Sequence, residues 1–288
     1  MLKKIQLLIL ISLCGFKAFA QQSDSIIVAK TKWQKTKIAR QIALYQHHFQ
    51  QGNLFGANQN VSFLEVKNTG KKIFFALAAE EKVLVTTSNF GKRDTALAAV
   101  NGNFFDVKNG GSVDFVKVNG KIVNINQFDK NGVRARHQQA AVIIKKGKIE
   151  IAKWDGTPDW ENKIVAADVL LNGPLLTINN EDQSLDTTAF NRLRHPRTCL
   201  GIKHNGKIIL LTVDGRNDLS AGMSLFELTR LMHWLGCESA INFDGGGSTT
   251  LWVNGFPDNG VVNYPTDNKK WDHQGERKVA NVILIKKR

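Results

Sequence analysis

Cysteine is scarce in this chain of 288 residues: only Cys14, Cys199 and Cys237 occur. No disulfide framework can hold such a fold together. Cys199 and Cys237 each sit in a short apolar context, which favours free thiols acting as small buried hydrophobes over a pair. Long apolar runs are also missing. The longest, Ile5 to Leu13, is far short of the ~20 residues that span a bilayer, so no transmembrane helix is expected. There is no fixed-period repeat and no long linker. Phosphate-loop and dinucleotide signatures are absent too, since the glycine-rich turn at 245–247 is followed neither by Gly-Lys-Ser/Thr nor by a helical pattern.

The N-terminus carries a different signal. Lys3 and Lys4 precede the apolar run, and Ala18-Phe19-Ala20 forms a cleavage site before Gln21, which together read as a secretory signal peptide over 1–20. Export to a periplasmic or secreted location follows. Leu13 is bulky where a lipid-attachment cysteine usually follows a small residue, so anchoring through Cys14 ranks below simple cleavage. Cleavage removes Lys3, Lys4 and Lys17 and takes the formal charge from +14 to +11. A basic exported protein meets anionic or phosphorylated glycans. Nucleic acid is not expected as a partner, because the lysines are dispersed over turns such as 145–148 and the terminal 286–288 instead of sharing one recognition element. Oligomeric state is not legible.

Residues 21–54 read as a polar leader or peripheral helix, with Ile38, Ile42 and Tyr45 at helical spacing. From 55 to 288 the pattern is that of one domain of α+β class, a mixed β-sheet core with a few packed helices. Short β-rich runs at 72–78, 83–87, 113–118, 140–144 and 148–152 alternate with turns at Asn119-Gly120, Lys146-Gly147 and Asn205-Gly206. Ser224 and Glu227 form a capping box, Leu225, Leu228, Leu231, Met232 and Leu235 repeat at helical spacing, and Gly236 supplies the stop. Apolar strands flank this helix at 207–213 and 239–243. If they are parallel neighbours, Asp214 and Asp244 leave the sheet at the same edge, each followed by a glycine turn.

Such a turn has a chemical use. Successive bare N–H groups from Gly245, Gly246 and Gly247, with the hydroxyls of Ser248 and Thr249, suit a phosphate or sugar oxygen. Arginine grips phosphate in a bidentate fork, which singles out Arg197 and Arg216. Asn101 and the Asn172-Gly173-Pro174 step lie in further polar turns after apolar runs.

In order along the chain, Asn101-Gly-Asn-Phe-Phe, Asn172-Gly-Pro-Leu-Leu, His195-Pro-Arg-Thr, Val213-Asp-Gly-Arg, Ser220-Ala-Gly-Met, Leu235-Gly-Cys, Asn242-Phe-Asp-Gly-Gly-Gly-Ser-Thr-Thr, Asn263-Tyr-Pro-Thr-Asp and Glu276-Arg277 resemble the phosphodiester glycosidase family. The resemblance covers about residues 60 to 285. Cys199 and Cys237 stand where alanine is expected, Asn103 where glycine is common and Phe243 where leucine is. What the resemblance implies is hydrolysis of the bond between an anomeric carbon and a phosphodiester oxygen, as in removal of N-acetylglucosamine from a sugar-1-phosphodiester. The leaving group is already a stabilised anion, so clamping it matters more than protonating it. On that basis Asp244 or Asp214 serves the anomeric centre, Arg197, Arg216 and the 245–248 turn hold phosphate, and His195 donates a proton or orients Arg197. No cofactor is required for this chemistry. The first rival is a metal-dependent phosphodiesterase using Asp214, Asp218 and Asp244 as ligands for calcium or magnesium, against which no recognisable ligand spacing is present. The second is a non-catalytic module that binds anionic glycan.

Overall fold

Alternation at every second residue governs the first half of the chain. Ile42 and Leu44 on the strand Ile42–Leu54 are buried, as are Leu64 and Val66 on its partner Ala57–Lys67, and Ile42 pairs with Val66 and Leu44 with Leu64. The computed structural model describes residues 24–128 and 130–288. The expected signal peptide and Cys14 lie outside these residues.

Eight strands form the largest sheet, in the spatial order Gln34–Ala39, Ile42–Leu54, Ala57–Lys67, Lys207–Val213, Arg197–Lys203, Cys237–Asn242, Leu175–Ile178, Glu181–Asp182. Residues 34–54 therefore belong to this sheet. This corrects the expectation of a leader or peripheral helix, since only residues 24–30 are helical there. In the strands Ile38 and Ile42 pack into one apolar cluster and Tyr45, an odd step away, into another, and hydrogen bonds to Ala57–Lys67 decide the matter.

A five-stranded sheet follows, built of Lys148–Lys153, Ala140–Lys145, Asp168–Leu171, Val116–Val118 and Lys121–Asn124. A four-stranded one contains Leu251–Val253, Ala98–Asn101, Asn281–Lys287 and Ile73–Ala79. One apolar cluster draws Leu64 and Leu210 from the first sheet, Val142 and Leu170 from the second, and Val100 and Ile283 from the third. Each such side chain contributes about 1.5–3 kcal/mol when removed from water, so the three sheets are held as one α+β domain.

The helix Leu225–Trp234 covers the other face of the large sheet, setting Leu228, Leu231 and Met232 against Phe63, Ile209 and Leu211. Its capping box forms as expected: Ser224 Oγ accepts from Glu227 N–H at 3.2 Å and Glu227 Oε2 accepts from Ser224 N–H at 2.9 Å. Gly236 takes the left-handed stop at φ +83°. A second helix, Thr87–Arg93, replaces the end of the strand expected at 83–87 and packs Phe90 beside Trp252 and Ala99.

The strands Lys207–Val213 and Cys237–Asn242 run parallel but are not neighbours. Arg197–Lys203 lies between them and pairs antiparallel with both. One sheet edge therefore collects two strand ends and one strand start: Asp214, Asp244 and Arg197.

Candidate active site

At that edge lies a cavity of about 220 Å³, lined by Phe190, His195, Arg197, Arg216, Asp244, Gly245, Gly246, Gly247 and Arg277. Asp244 forms its acidic point. The main chain of Asp244 is fixed on both sides, its N–H donating to Gly102 O at 3.1 Å and its carbonyl accepting from Asn101 Nδ2 at 2.7 Å. Burial raises its carboxyl to about 6, against the opposing pull of Ser248, the Gly245 N–H and Arg277; the charge of Asp114 pushes it further up. The Ser248 hydroxyl, buried beside this carboxyl, acts on it without meeting strict hydrogen-bond geometry.

Gly246 adopts φ +61°, and a Cβ there would lie 3.1 Å from Arg216 Nη2. At Gly247 it would lie 2.6 Å from Arg277 Nη2 and 2.7 Å from Asp267 Oδ1. The glycines thus let two guanidinium groups close on the turn. Its N–H groups are less free than a simple anion nest requires. Gly246 N–H donates to Pro196 O at 2.9 Å, and the N–H groups of Ser248 and Thr249 close a 3₁₀ turn onto Gly245 O and Gly246 O. Charge recognition therefore falls mainly to the arginines.

Three of them differ in kind. Arg216, exposed and itself at φ +60°, makes no ion pair or side-chain hydrogen bond among the described residues. Arg277 is held by Asp267, with Nε at 2.8 Å and Nη2 at 2.5 Å from Oδ1. Arg197 is 1% exposed; Nε donates to Met223 O at 2.8 Å and Nη2 to Phe190 O and Leu193 O at 2.5 and 3.1 Å. Burial and the facing Arg216 depress it to about 10, which still leaves it charged at neutral pH. It is a fixed positive charge beneath the cavity and an anchor for 190–193. His195 is lowered by burial and by Arg197 and Arg216, which favours the neutral imidazole.

Asp214 does not line the cavity. It is 1% exposed, and its oxygens accept from Asn60 Nδ2 (2.8 Å), Asn263 Nδ2 (2.8 Å) and Tyr264 N–H (3.0 Å). Burial raises its carboxyl while these donors lower it. The side chain clamps three segments together. Asn101 joins Thr198 Oγ1 and Thr250 N–H through Oδ1, behind Asp244. Asn172 and Gly173 lie in an interior seam, where Asn172 Oδ1 accepts from Gly173 N–H and Gly173 O accepts from Asn242 Nδ2. Thr249 is 1% exposed, with its carbonyl on Asn263 Nδ2. None of these four residues lines the cavity.

Sequence reasoning did not assign Phe190, Arg277, Asp267, Asp114 or His137 to the site. Arg277 appeared only as part of a motif, and nothing in the sequence marked Phe190, whose ring lies 4.8 Å from the Arg197 guanidinium carbon. Asp114, fully buried, meets His137 Nδ1 at 2.9 and 3.0 Å from its two oxygens. The His137 ring packs on Phe104, and Phe104 on Phe190, at centroid distances of 5.0 and 6.0 Å.

Among the described residues, no group of three or more His, Cys, Asp or Glu side chains is placed to hold a metal ion, and Asp214, Asp218 and Asp244 form no ligand set. Cys199 and Cys237 are free, buried thiols. No helix of the described residues is long and apolar enough to cross a membrane.

Comparison with known proteins places these features in a wider group. A family model described as phosphodiester glycosidase matches residues 94–286. The chain is 31% identical over 110 residues to N-acetylglucosamine-1-phosphodiester alpha-N-acetylglucosaminidase of Bos taurus, covering 36% of this chain and 20% of that protein. It is 24% identical over 213 residues to the SPbeta prophage-derived uncharacterized protein YomE of Bacillus subtilis, covering 66% of this chain and 31% of that one. The match thus spans less than a third of either relative's length. Among solved structures, the zebrafish N-acetylglucosamine-1-phosphodiester alpha-N-acetylglucosaminidase catalytic domain, auto-inhibited by its pro-peptide, has a similar fold, with TM-score 0.64, 21% identity, and coverage of 89% of this chain and 88% of that one. A hypothetical protein from Synechocystis also gives 0.64, at 14% identity, with 90% and 64% covered.

Proposed function

The chain belongs to the phosphodiester glycosidase family, and from that premise we propose that it hydrolyses a sugar-1-phosphodiester at the glycosidic C–O bond, giving free sugar and a phosphomonoester. One observation carries the proposal: a single carboxylate, Asp244, shares a cavity with three arginines of which one, Arg216, has no partner among the described residues. A phosphodiester brings one negative charge to that site. Arg216 and Arg277 hold its non-bridging oxygens, and Arg197 adds a fixed positive field from below.

In this orientation Asp244 faces the anomeric carbon. Water oxygen ends on that carbon, the carbon-to-phosphate oxygen bond breaks, and the bonding pair leaves with the phosphomonoester. The water proton is lost through Asp244, which is ionised above about pH 6. His195, favoured in its neutral form, offers a hydrogen bond without adding a fourth charge. We also place the protein outside the cytoplasmic membrane, periplasmic or secreted, on the strength of its N-terminal signature.

The test is turnover of a panel of sugar-1-phosphodiesters, nitrophenyl glycosides and simple phosphodiesters in ¹⁸O-labelled water. Label in the sugar supports C–O cleavage, whereas label in the phosphate means phosphorus was attacked. Asp244→Asn, folded by circular dichroism, is expected to lose roughly a thousandfold or more in kcat. Turnover at the wild-type rate removes Asp244 from the chemistry.

A further inference from the structure

Beside the Asp244 cavity lies a second one, of about 190 Å³, bounded among others by Arg136, Gln139, Lys153, Ser184, Asp186 and Asn191. The short helix Ala189–Arg192 is a wall of both: Phe190 lines the Asp244 cavity and the next residue, Asn191, lines this one. The turn Arg136–Gln138 continues that partition. Arg136 lines the second cavity, while His137 packs on Phe104 and through it on Phe190.

Asn191 points to a ligand. It is 3% exposed, and Asp186 holds its amide, accepting from Nδ2 at 3.1 Å through its carbonyl and at 2.8 Å through Oδ1. With the amide fixed in this way, Asn191 Oδ1 meets no donor among the described residues. A buried acceptor that the fold leaves unpaired is costly unless something else reaches it. Around it the charge is net positive. Lys153 has no ion pair among the described residues, and Arg136 Nε makes a long ion pair of 4.0 Å with Asp186 Oδ2, the Oδ1 of that carboxylate being engaged by Thr188 and Asn191.

We propose that this cavity is a subsite for the group beyond the phosphate, and that it takes a polyhydroxylated unit bearing its own negative charge, such as the next unit of a sugar–phosphate chain. A hydroxyl of that unit donates to Asn191 Oδ1, and its anionic group sits between Arg136 and Lys153. The space holds about six waters at ~30 Å³ each, enough for one glycosyl or polyol unit. This inference rests on the phosphodiester reading of the Asp244 cavity and specifies its substrate class.

Two α-N-acetylglucosamine 1-phosphodiesters test it, one with a methyl aglycone and one with a 3-phosphoglyceryl aglycone. The wild-type protein is expected to favour the second at least tenfold in kcat/KM, mainly through KM. The double variant Arg136→Ala/Lys153→Ala is expected to erase that preference while cleaving the methyl diester within twofold of the wild-type rate. Equal wild-type efficiency on both diesters, or an equal loss on both in the variant, overturns the subsite.

If neither diester is cleaved, the proposed activity fails separately, and binding of glycerol 3-phosphate followed by nuclear magnetic resonance decides the subsite. Binding lost in Arg136→Ala/Lys153→Ala but kept in Arg216→Ala supports it. The reverse pattern assigns the anion to the Asp244 cavity, and no binding at all overturns the subsite.

Discussion

Replacing Asp244 with asparagine should make the protein more stable at neutral pH while silencing it. Burial holds the Asp244 carboxyl at about 6 in the fold, against 3.8 for an exposed aspartate, so the folded state binds a proton more tightly than the unfolded chain. As pH rises from about 4 to about 6 the unfolded chain releases that proton first, and stability falls. Above pH 6 the full penalty is present. At about 1.36 kcal/mol per pH unit the interval amounts to roughly 3 kcal/mol. Asparagine mimics the protonated acid at all these pH values and escapes the penalty. Urea unfolding of both proteins at pH 4 and pH 7 measures it: the stability difference between variant and wild type should be near zero at pH 4 and about 3 kcal/mol in favour of the variant at pH 7. A difference that does not change with pH, or that favours the wild type at pH 7, refutes the assignment of a buried, charge-stressed carboxylate.

The same ionisation sets activity: kcat/KM in the wild type should rise about tenfold per pH unit up to about pH 6 and then level off, and a flat profile between pH 4 and 6 would remove the ionised carboxylate from the mechanism. Arg216→Ala, at an exposed residue with no partner among the described residues, should leave stability within about 0.5 kcal/mol and lower kcat/KM roughly a hundredfold, read by denaturant titration and steady-state kinetics. Asp214→Ala strands three buried donors, on Asn60, Asn263 and Tyr264, and should cost about 3 kcal/mol in unfolding free energy while the folded fraction keeps kcat within tenfold. Normal stability with no turnover would return Asp214 to the chemistry. Exhaustive chelation should leave turnover unchanged, and recovery only on adding calcium or magnesium would favour the metal-dependent rival.

Local pattern revealed the elements whose stabilising contacts are local. The helix Leu225–Trp234 carries its cap, apolar stripe and stop within thirteen residues, and all three form. The hairpin tips Asn119-Gly120 and Lys146-Gly147 likewise carry their left-handed turns in their own residue types. Residues 34–54 read as helical because the step from Ile38 to Ile42 fits either period, but Tyr45, three residues on, faces the opposite side of the strand, and the deciding partner, Ala57–Lys67, acts through hydrogen bonds that no window of sequence contains. The site divided in the same way. Strand direction placed Asp214, Asp244 and Arg197 at one edge, but distant asparagines consume the Asp214 carboxylate, and the carbonyls of Met223 and of the segment just before Arg197 consume three Arg197 bonds. Phe190 and His137 come together through Phe104, a contact between three separate segments that no local pattern marks.

The tether between Arg197 and the carbonyls of Phe190 and Leu193 gives the partition between the two cavities an unusual independence. That suspension runs from a guanidinium to main-chain oxygens, while among the side chains of the segment Thr188, Phe190 and Asn191 carry contacts of their own. The remaining positions of a segment attached in this manner can be rewritten to reshape or recharge the wall beside Asn191, provided its two carbonyls still find the guanidinium. Directed diversification of residues 187, 189 and 192, with Phe190, Asn191 and Arg197 kept constant, is therefore a practical route to altered preference at the proposed subsite.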